Sequence, residues 1–268
     1  MKKCISVIFI ALLSVLFLLP LALLIVQSLI PSFDAAMVAS YTLPVRLFPN
    51  PPSVEQFAAL VSSRSEYWQT LLLSLVWTIG ASVVQTGASI IGGYVLAKQK
   101  NRLCSAITVL YCLAMIIPLQ VFLLPQYILS DALGALNTPI TLYLPLAFAP
   151  FGTIFMHEIN MKMPDEWVEC LRLEGGGFPA LLRLVILPFS APSAAILFLL
   201  SFVECWGMVE QPLILLTNKV NNPLSMLLYD MRLGQTSIIF AASLISLLPI
   251  LAMLLFALLA GRRRSQPA

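Results

Sequence analysis

Charge is what this sequence has least of. Only 10% of its 268 residues are Asp, Glu, Lys or Arg, and the mean hydropathy is +0.95. A soluble domain carries about 25% charge, so an ordinary soluble domain is excluded and lipid is the expected solvent. The basic residues fall in short scattered groups, which argues against a nucleic-acid surface. The single histidine, His157, has no second ligand near it in the sequence and reads as an interfacial helix end. The five cysteines, Cys4, Cys104, Cys112, Cys170 and Cys205, match no zinc or redox spacing. There is no G-x-x-x-x-G-K-[ST], so no motif for nucleotide hydrolysis is visible. Alternating ten-residue strands are missing too, which excludes a membrane β-barrel.

What remains is long apolar runs. Six are long enough to cross a hydrocarbon core of about 30 Å, which takes about 20 helical residues. They lie near Ile5–Ile30, Leu71–Ala97, Leu103–Leu124, Pro139–Met156, Pro192–Leu216 and Ser237–Ala260. The expected fold is therefore all-α, a single transmembrane domain over 1–268 with six transmembrane helices. The fourth run is short and holds Pro145 and Pro150. The first begins Met-Lys-Lys like a signal peptide. Its apolar stretch is longer than the roughly 7–15 residues of a signal core, so it reads as a retained helix.

Basic residues set the orientation. With both termini cytosolic, the inner side holds Lys2, Lys3, Lys98, Lys100, Arg102, Lys162, Arg172, Arg183, Arg262, Arg263 and Arg264. The outer side holds Arg46, Arg64, Lys219 and Arg232, a clear positive-inside bias. No cysteine then lies in an outer loop, and no disulfide is expected. The largest outer loop, Pro31–Tyr67, has turn-rich Leu43-Pro44 and Phe48-Pro49-Asn50-Pro51-Pro52. A short helix follows, with Ser53 as N-cap and Gln56 at its third position. This loop reads as a surface cap on the bundle.

One polar segment breaks the apolar pattern. Residues 157–187 form a cytosolic loop that includes DEWVECLRLEGGGFPALLRLVIL, with four acids and two arginines. Met163-Pro164-Asp165-Glu166 starts a helix. Trp167, Val168, Leu171 and Leu173 give it apolar surface, and Gly175-Gly176-Gly177 ends it. A second short helix, Pro179–Leu187, leads to Pro188. An amphipathic helix lying on lipid would favour bases on its polar face. Here that face is acidic and suits a basic protein partner.

These residues carry a resemblance. Glu169-Cys170-Leu171, then Glu174-Gly175, then Ile186-Leu187-Pro188 is similar to the EAA motif of permease subunits of binding-protein-dependent ABC importers. Gly93-Tyr94-Val95-Leu96-Ala97, Met115-Ile116-Ile117-Pro118, Leu124-Pro125-Gln126-Tyr127, Leu133–Thr138, Pro164-Asp165-Glu166, Trp206 and Pro212 resemble the carbohydrate-type members, over roughly Leu71 to Leu255. The resemblance implies that the helix Asp165–Glu174, between the fourth and fifth spans, is a coupling helix. It implies that Glu169, Cys170, Leu171, Arg172, Glu174 and Gly175 dock on an ATPase subunit. It further implies a second permease subunit, two ATPase subunits that hold ATP and Mg, an extracellular solute-binding protein, and a bacterial or archaeal cell membrane. No cofactor, metal or catalytic residue is expected in this chain itself. Three departures stand out: Cys170 and Leu171 replace two alanines, Gly207 and Met208 replace an Asn and an acid, and the family's glycine-rich C-terminal tail is missing.

The fifth span holds the remaining polar residues. A charge at mid-membrane costs about 2.5–3.5 kcal/mol on insertion scales, so Glu204 should face a cavity or a partner. At 100° per residue, Glu204, Met208 and Gln211 share one helix face. Pro212 would free the carbonyl of Met208 on that face. With Trp206 as a stacking surface, these residues make a candidate path for a small solute such as a sugar or oligosaccharide. The alternatives are an importer for a non-sugar solute, an ion-coupled secondary transporter using Glu204 and Glu210 as a relay, and a non-transporting scaffold. The missing inverted repeat argues against the relay.

Overall fold

The computed structural model describes residues 2–39, 48, 51–63, 65–99, 101–218, 222–233 and 238–264. The expected turns at Leu43-Pro44 and Pro49-Asn50, together with Arg46, Arg64, Lys100, Lys219 and the tail 265–268, lie outside these residues. The described chain is helical: α1 Lys2–Ser28, α2 Ser32–Ala39, α3 Glu55–Ser63, α4 Ser65–Lys98, α5 Arg102–Ala114, α6 Leu119–Ala132, α7 Pro139–Ala147, α8 Pro150–Met161, α9 Asp165–Leu173, α10 Phe178–Leu181, α11 Leu187–Gly207, α12 Glu210–Leu215, α13 Leu224–Leu233, α14 Ile239–Ser246 and α15 Leu248–Arg264. Among the described residues, five stretches are long and apolar enough to cross a membrane: Phe9–Ser28, Ser65–Lys98, Pro139–Met161, Phe178–Gly207 and Ile239–Ala257. A sixth arises only if α5 and α6 count as one span.

That pair corrects the third expected span. Leu103–Leu124 is not one helix; α5 and α6 meet at 110°. Pro118 stands between them with extended backbone, φ −64° and ψ 145°. It has no N–H to give the preceding turn, and its ring pushes Ile117 out of helical conformation. Pro150 acts similarly in the fourth span. It starts α8 after a break at Phe148 and Ala149, and the helix runs past the expected Met156 to Met161.

The fifth span is also displaced. It begins at Phe178 and ends at Gly207, where Pro192–Leu216 was expected. The expected short helix Pro179–Leu187 does not stop at Pro188. A π-helical turn, Leu182–Ile186, joins α10 to α11, and the Leu187 N–H reaches back to the Leu182 carbonyl. A widened turn moves the upstream carbonyls, which lets a proline ring follow without ending the helix. At the other end Met208 is extended, with φ −66° and ψ 133°, and α12 is a separate helix.

The chain forms two compact units, Met1–Leu73 with Pro223–Leu251, and Ser74–Asn222 with Ala252–Ala268. In the first, α14 packs against α1, α2, α3 and α13. Gln56 is the polar centre of this unit and is fully buried. Its amide nitrogen donates to the carbonyls of Gln27 and Ile30, at 2.7 and 3.1 Å, and its oxygen accepts the N–H of Ala241 at 3.3 Å. One side chain thus satisfies carbonyls at the end of α1 and a donor in the first turn of α14, groups that helices leave open. The expected capping box does not form, because Gln56 points inward. Ser53 still accepts the Glu55 N–H, at 3.1 Å, and its own N–H goes to Leu29 O at 2.7 Å. The Tyr67 hydroxyl donates to Ala242 O at 2.8 Å.

The second unit positions the candidate site. Ser74, Thr78, Ser82, Gln85 and Ser89 make a buried stripe along α4. Small polar residues at this spacing let membrane helices approach closely. Backbone approaches backbone at Gly93, where a Cβ would sit 2.6 Å from the His157 backbone nitrogen and 2.7 Å from the Met156 carbonyl carbon. His157 is therefore part of a helix crossing in α8, and its ring lies 3.1 Å from Glu158 Oε1. Below the crossing, Ile90, Tyr94, Met156, Met163, Val168, Leu181, Ile186 and Leu197 form one apolar cluster.

The crossing yields a prediction. Gly93→Leu should lower stability by about 1–3 kcal/mol or more, the usual cost of overpacking. Gly80→Ala, where a Cβ meets nothing within 4 Å, should be neutral or slightly stabilising. Thermal denaturation in detergent checks both.

Candidate functional site

The polar segment forms α9 and the turn after it. Pro164 precedes α9 as an N-cap without a side-chain bond, Asp165 and Glu166 occupy its first turn, and Arg172 its last. This charge order complements the helix dipole. Only Val168 is buried within α9, and it joins the cluster beneath the α4–α8 crossing.

The end of α9 is a Schellman turn. Gly175 has φ +79°, as the glycine run suggested. Its N–H bonds to Arg172 O at 3.0 Å, and the Gly176 N–H bonds to Leu171 O at 2.9 Å. This pairing satisfies two of the carbonyls left open at a helix end. A Cβ on Gly175 would meet nothing within 4 Å, whereas one on Gly176 would lie 2.7 Å from Leu171 Cγ. Gly175 is needed for its backbone angle and Gly176 for its missing side chain.

The expected docking residues come together on this surface. Glu169, Cys170, Arg172, Glu174 and Gly175 are exposed; Leu171 is half-buried. An open groove of about 510 Å³ runs between α9 and the following helix. Trp167, Cys170, Leu171 and Glu174 line one wall, and Leu184, Val185, Pro188 and Phe189 the other. Trp167 meets Phe189 edge-on at 5.9 Å. Sequence reasoning missed the anchor of the segment. Lys98, the last residue of α4, places its Nζ 2.5 Å from Asp165 Oδ1 and 2.6 Å from Met163 O. Its only sequence signal was a base at the end of a span, which reads equally as a topology marker.

The fifth-span candidates do not share one helix face. Glu204 is exposed near the end of α11, on a stripe with Ile196, Leu200, Val203 and Gly207. Trp206 is buried and stacks on Phe202 at 5.7 Å and 13°. Met208 lies past the helix end, half-buried against two apolar clusters that Tyr143 also flanks. Gln211 is buried in α12. The continuous helix needed for a common face ends at Gly207. Pro212 falls in the first turn of α12, where N–H groups have no intrahelical acceptor, so the carbonyl of Met208 is not freed as expected. Glu210 sits apart, accepting from Gln120 Nε2 at 2.9 and 3.2 Å.

The other end of α12 is tied down as well. Asn137, with φ +63°, gives its N–H to Leu215 O at 3.1 Å and accepts from Thr217 Oγ1 at 2.9 Å and the Asn218 N–H at 2.8 Å. Among the described cysteines, Cys104 and Cys205 are buried thiols, and Cys112 and Cys170 are exposed ones.

The chain is 26% identical over 258 residues to the arabinooligosaccharides transport system permease protein AraQ of Bacillus subtilis (strain 168), covering 92% of this chain and 88% of the relative. It is 24% identical over 186 residues to the sn-glycerol-3-phosphate transport system permease protein UgpE of Salmonella typhi, 67% of this chain and 66% of that one. Its fold matches a chain in the crystal structure of a bacterial ABC transporter involved in the import of the acidic polysaccharide alginate. The TM-score is 0.78 at 16% identity, covering 94% of this chain and 93% of the other. Residues 89–265 match the family described as binding-protein-dependent transport system inner membrane component; the chain belongs to that family of membrane permeases.

Proposed function

We propose that the chain is a permease subunit for a sugar or oligosaccharide in an ABC importer, and that α9 is its coupling helix. The observation that carries this is α9 itself. It is short, exposed and acidic, rooted by one buried residue, and closed by a left-handed glycine. Such a helix cannot hold itself in water, since isolated helices below about 12–15 residues are marginal. It is a contact surface mounted on a rigid body.

In this reading both termini and α9 are cytosolic, and α5 with its bent continuation α6 serves as the third crossing. Two ATPase subunits hold ATP and Mg, and one receives α9. Glu169 pairs with a base on that subunit, and Cys170, Leu171, Arg172, Glu174 and Gly175 complete the contact. A second permease closes the path, and an extracellular binding protein delivers the solute. Motion of the ATPase pair shifts the bundle between inward and outward openings, by contacts that differ between the two states. Glu204 supports the need for a partner: a carboxylate on an exposed span face is costly against hydrocarbon. In this reading Glu204 faces the path, Met208 and Gln211 border it beyond the helix end, and Trp206 backs it from the core through its stack on Phe202. The relatives' polyhydroxy solutes support a sugar-like substrate.

The test is uptake by the reconstituted complex, with arabinooligosaccharide, sn-glycerol 3-phosphate and alginate oligosaccharide as probes. ATP-dependent uptake of one probe is expected. Uptake that persists with a hydrolysis-dead ATPase and follows a proton gradient would overturn the reading.

Glu169→Lys should weaken ATPase recovery on the tagged permease, since losing a paired interface charge costs about 2–5 kcal/mol. Gly175→Asp should do so less, at about 1 kcal/mol or more of backbone strain. Both variants should reach the membrane at normal levels, measured by quantitative co-purification. Glu204→Gln should change the affinity for the transported probe or its turnover and leave assembly intact; uptake kinetics and subunit stoichiometry check this.

A further inference from the structure

The proposed lever needs a fixed point, and the described contacts of α9 supply few. Val168, with Leu171 packed beside it, holds its middle, Trp167 meets Phe189 edge-on, and the Schellman turn sets the direction of chain exit at its C-terminal end. The N-terminal end has no cap of its own, because Pro164 makes no side-chain bond there. Lys98 fills this place from another helix, bonded to both the Met163 carbonyl and the Asp165 carboxylate.

The two partners are unequally buried. The Lys98 side chain is 14% exposed and that of Asp165 57%. The lysine stem is thus packed along the bundle, and only its head reaches the segment. Lys98 also ends α4, a helix of 34 residues, about 50 Å at 1.5 Å per residue. The same helix carries the crossing at Gly93, one turn and a half upstream, where backbone meets backbone without room for a Cβ. A rod locked by that crossing therefore ends on the first turn of α9.

We infer that Lys98 is a positioning residue for energy coupling: its bonds to Met163 and Asp165 make α9 and α4 move together, so that ATPase motion reaches the bundle. This rests on the proposed role of α9. The bond geometry explains why the residue acts through position rather than stability. The bundle core does not depend on an ion pair with a half-exposed acid, because such pairs are worth little. What depends on it is the angle of a helix that has a single buried residue.

The experiment uses the full complex, with wild-type chain, Lys98→Met, Lys98→Arg and Asp165→Asn. Lys98→Met keeps the buried stem and removes the head. It should insert normally and retain its ATPase subunits. The solute carried per ATP hydrolysed should fall about five- to tenfold, the low end of measured coupling between sites. Lys98→Arg should restore most of that ratio, and Asp165→Asn should give an intermediate loss, since an amide oxygen still accepts. Hydrogen exchange should quicken in residues 163–168 of Lys98→Met and stay unchanged in α4. An unchanged ratio in Lys98→Met, or transport and hydrolysis falling together with loss of the ATPase, would overturn the positioning role alone. A wild-type chain that recovers no ATPase and transports without hydrolysis would overturn the proposed function beneath it.

Discussion

The missing N–H of proline, in a medium without water, organises this chain more than any single contact. An unsatisfied backbone group in hydrocarbon costs several kcal/mol, so every proline within an apolar run must be accommodated. The chain has 19, and it solves the problem in different ways. Pro118 turns the chain by 110° into α6. Pro150 starts a helix, where no donor is needed. Pro188 follows a π-helical turn within a continuous helix. Pro212 lies in the first turn of α12, beyond the break at Met208. Two polar elements sit at these solutions. Pro188 lines the groove beside α9, and α12 exists as a separate piece because the fifth helix stops before it.

This explains what was legible in the sequence. The apolar runs were visible because length and hydropathy are local properties. The α9 turn was visible for the same reason: acids, one arginine and three glycines are read in order, and Gly175 takes the positive φ that such a run suggests. The helix breaks were harder. Each proline was in view, but whether it ends, bends or widens a helix depends on which neighbours receive the freed carbonyls. Periodicity carried through Met208 therefore put Glu204 and Gln211 on one face, while the helix ends between them. Contacts between distant residues were illegible altogether. Nothing local distinguishes Lys98 from any other positive-inside base, or shows that Gln56 would serve two helix ends at once.

The same logic separates the rigid parts from the adjustable ones. Where α4 crosses α8, backbone approaches backbone, and no rotamer change can absorb a displacement. Cores packed in this way respond as whole bodies rather than by gradual deformation. The buried polar stripe from Ser74 to Ser89 lies on the same helix. By contrast, α9 exposes Trp167 and, at 89%, Leu173 beside its acids. Exposed apolar side chains flanked by charge form the mixture found at protein contacts, an apolar centre with a polar rim. The proposed docking segment thus joins exposed apolar and charged groups to a tightly packed crossing.

In the proposed function, alternating access by contact with a separate subunit limits how much α9 can transmit. A partner shifts an equilibrium only by the difference in its contacts with the two states, and coupling energies between sites are about 1–3 kcal/mol. That equals one charge pair at an interface, or one apolar side chain moved out of water. A nine-residue helix can supply this with a few groups, so the identity of each one counts. The two departures from the alanine pair then fall into different roles. Leu171 is half-buried, and its side chain and carbonyl both lie against Gly176. Its bulk serves the turn, and the glycine after it leaves room for that bulk. Cys170 is exposed on the groove wall, where its larger side chain alters the surface offered to a partner. Of the two substitutions, the one at Cys170 changes which surface fits, and the one at Leu171 changes how firmly the turn is held while it fits.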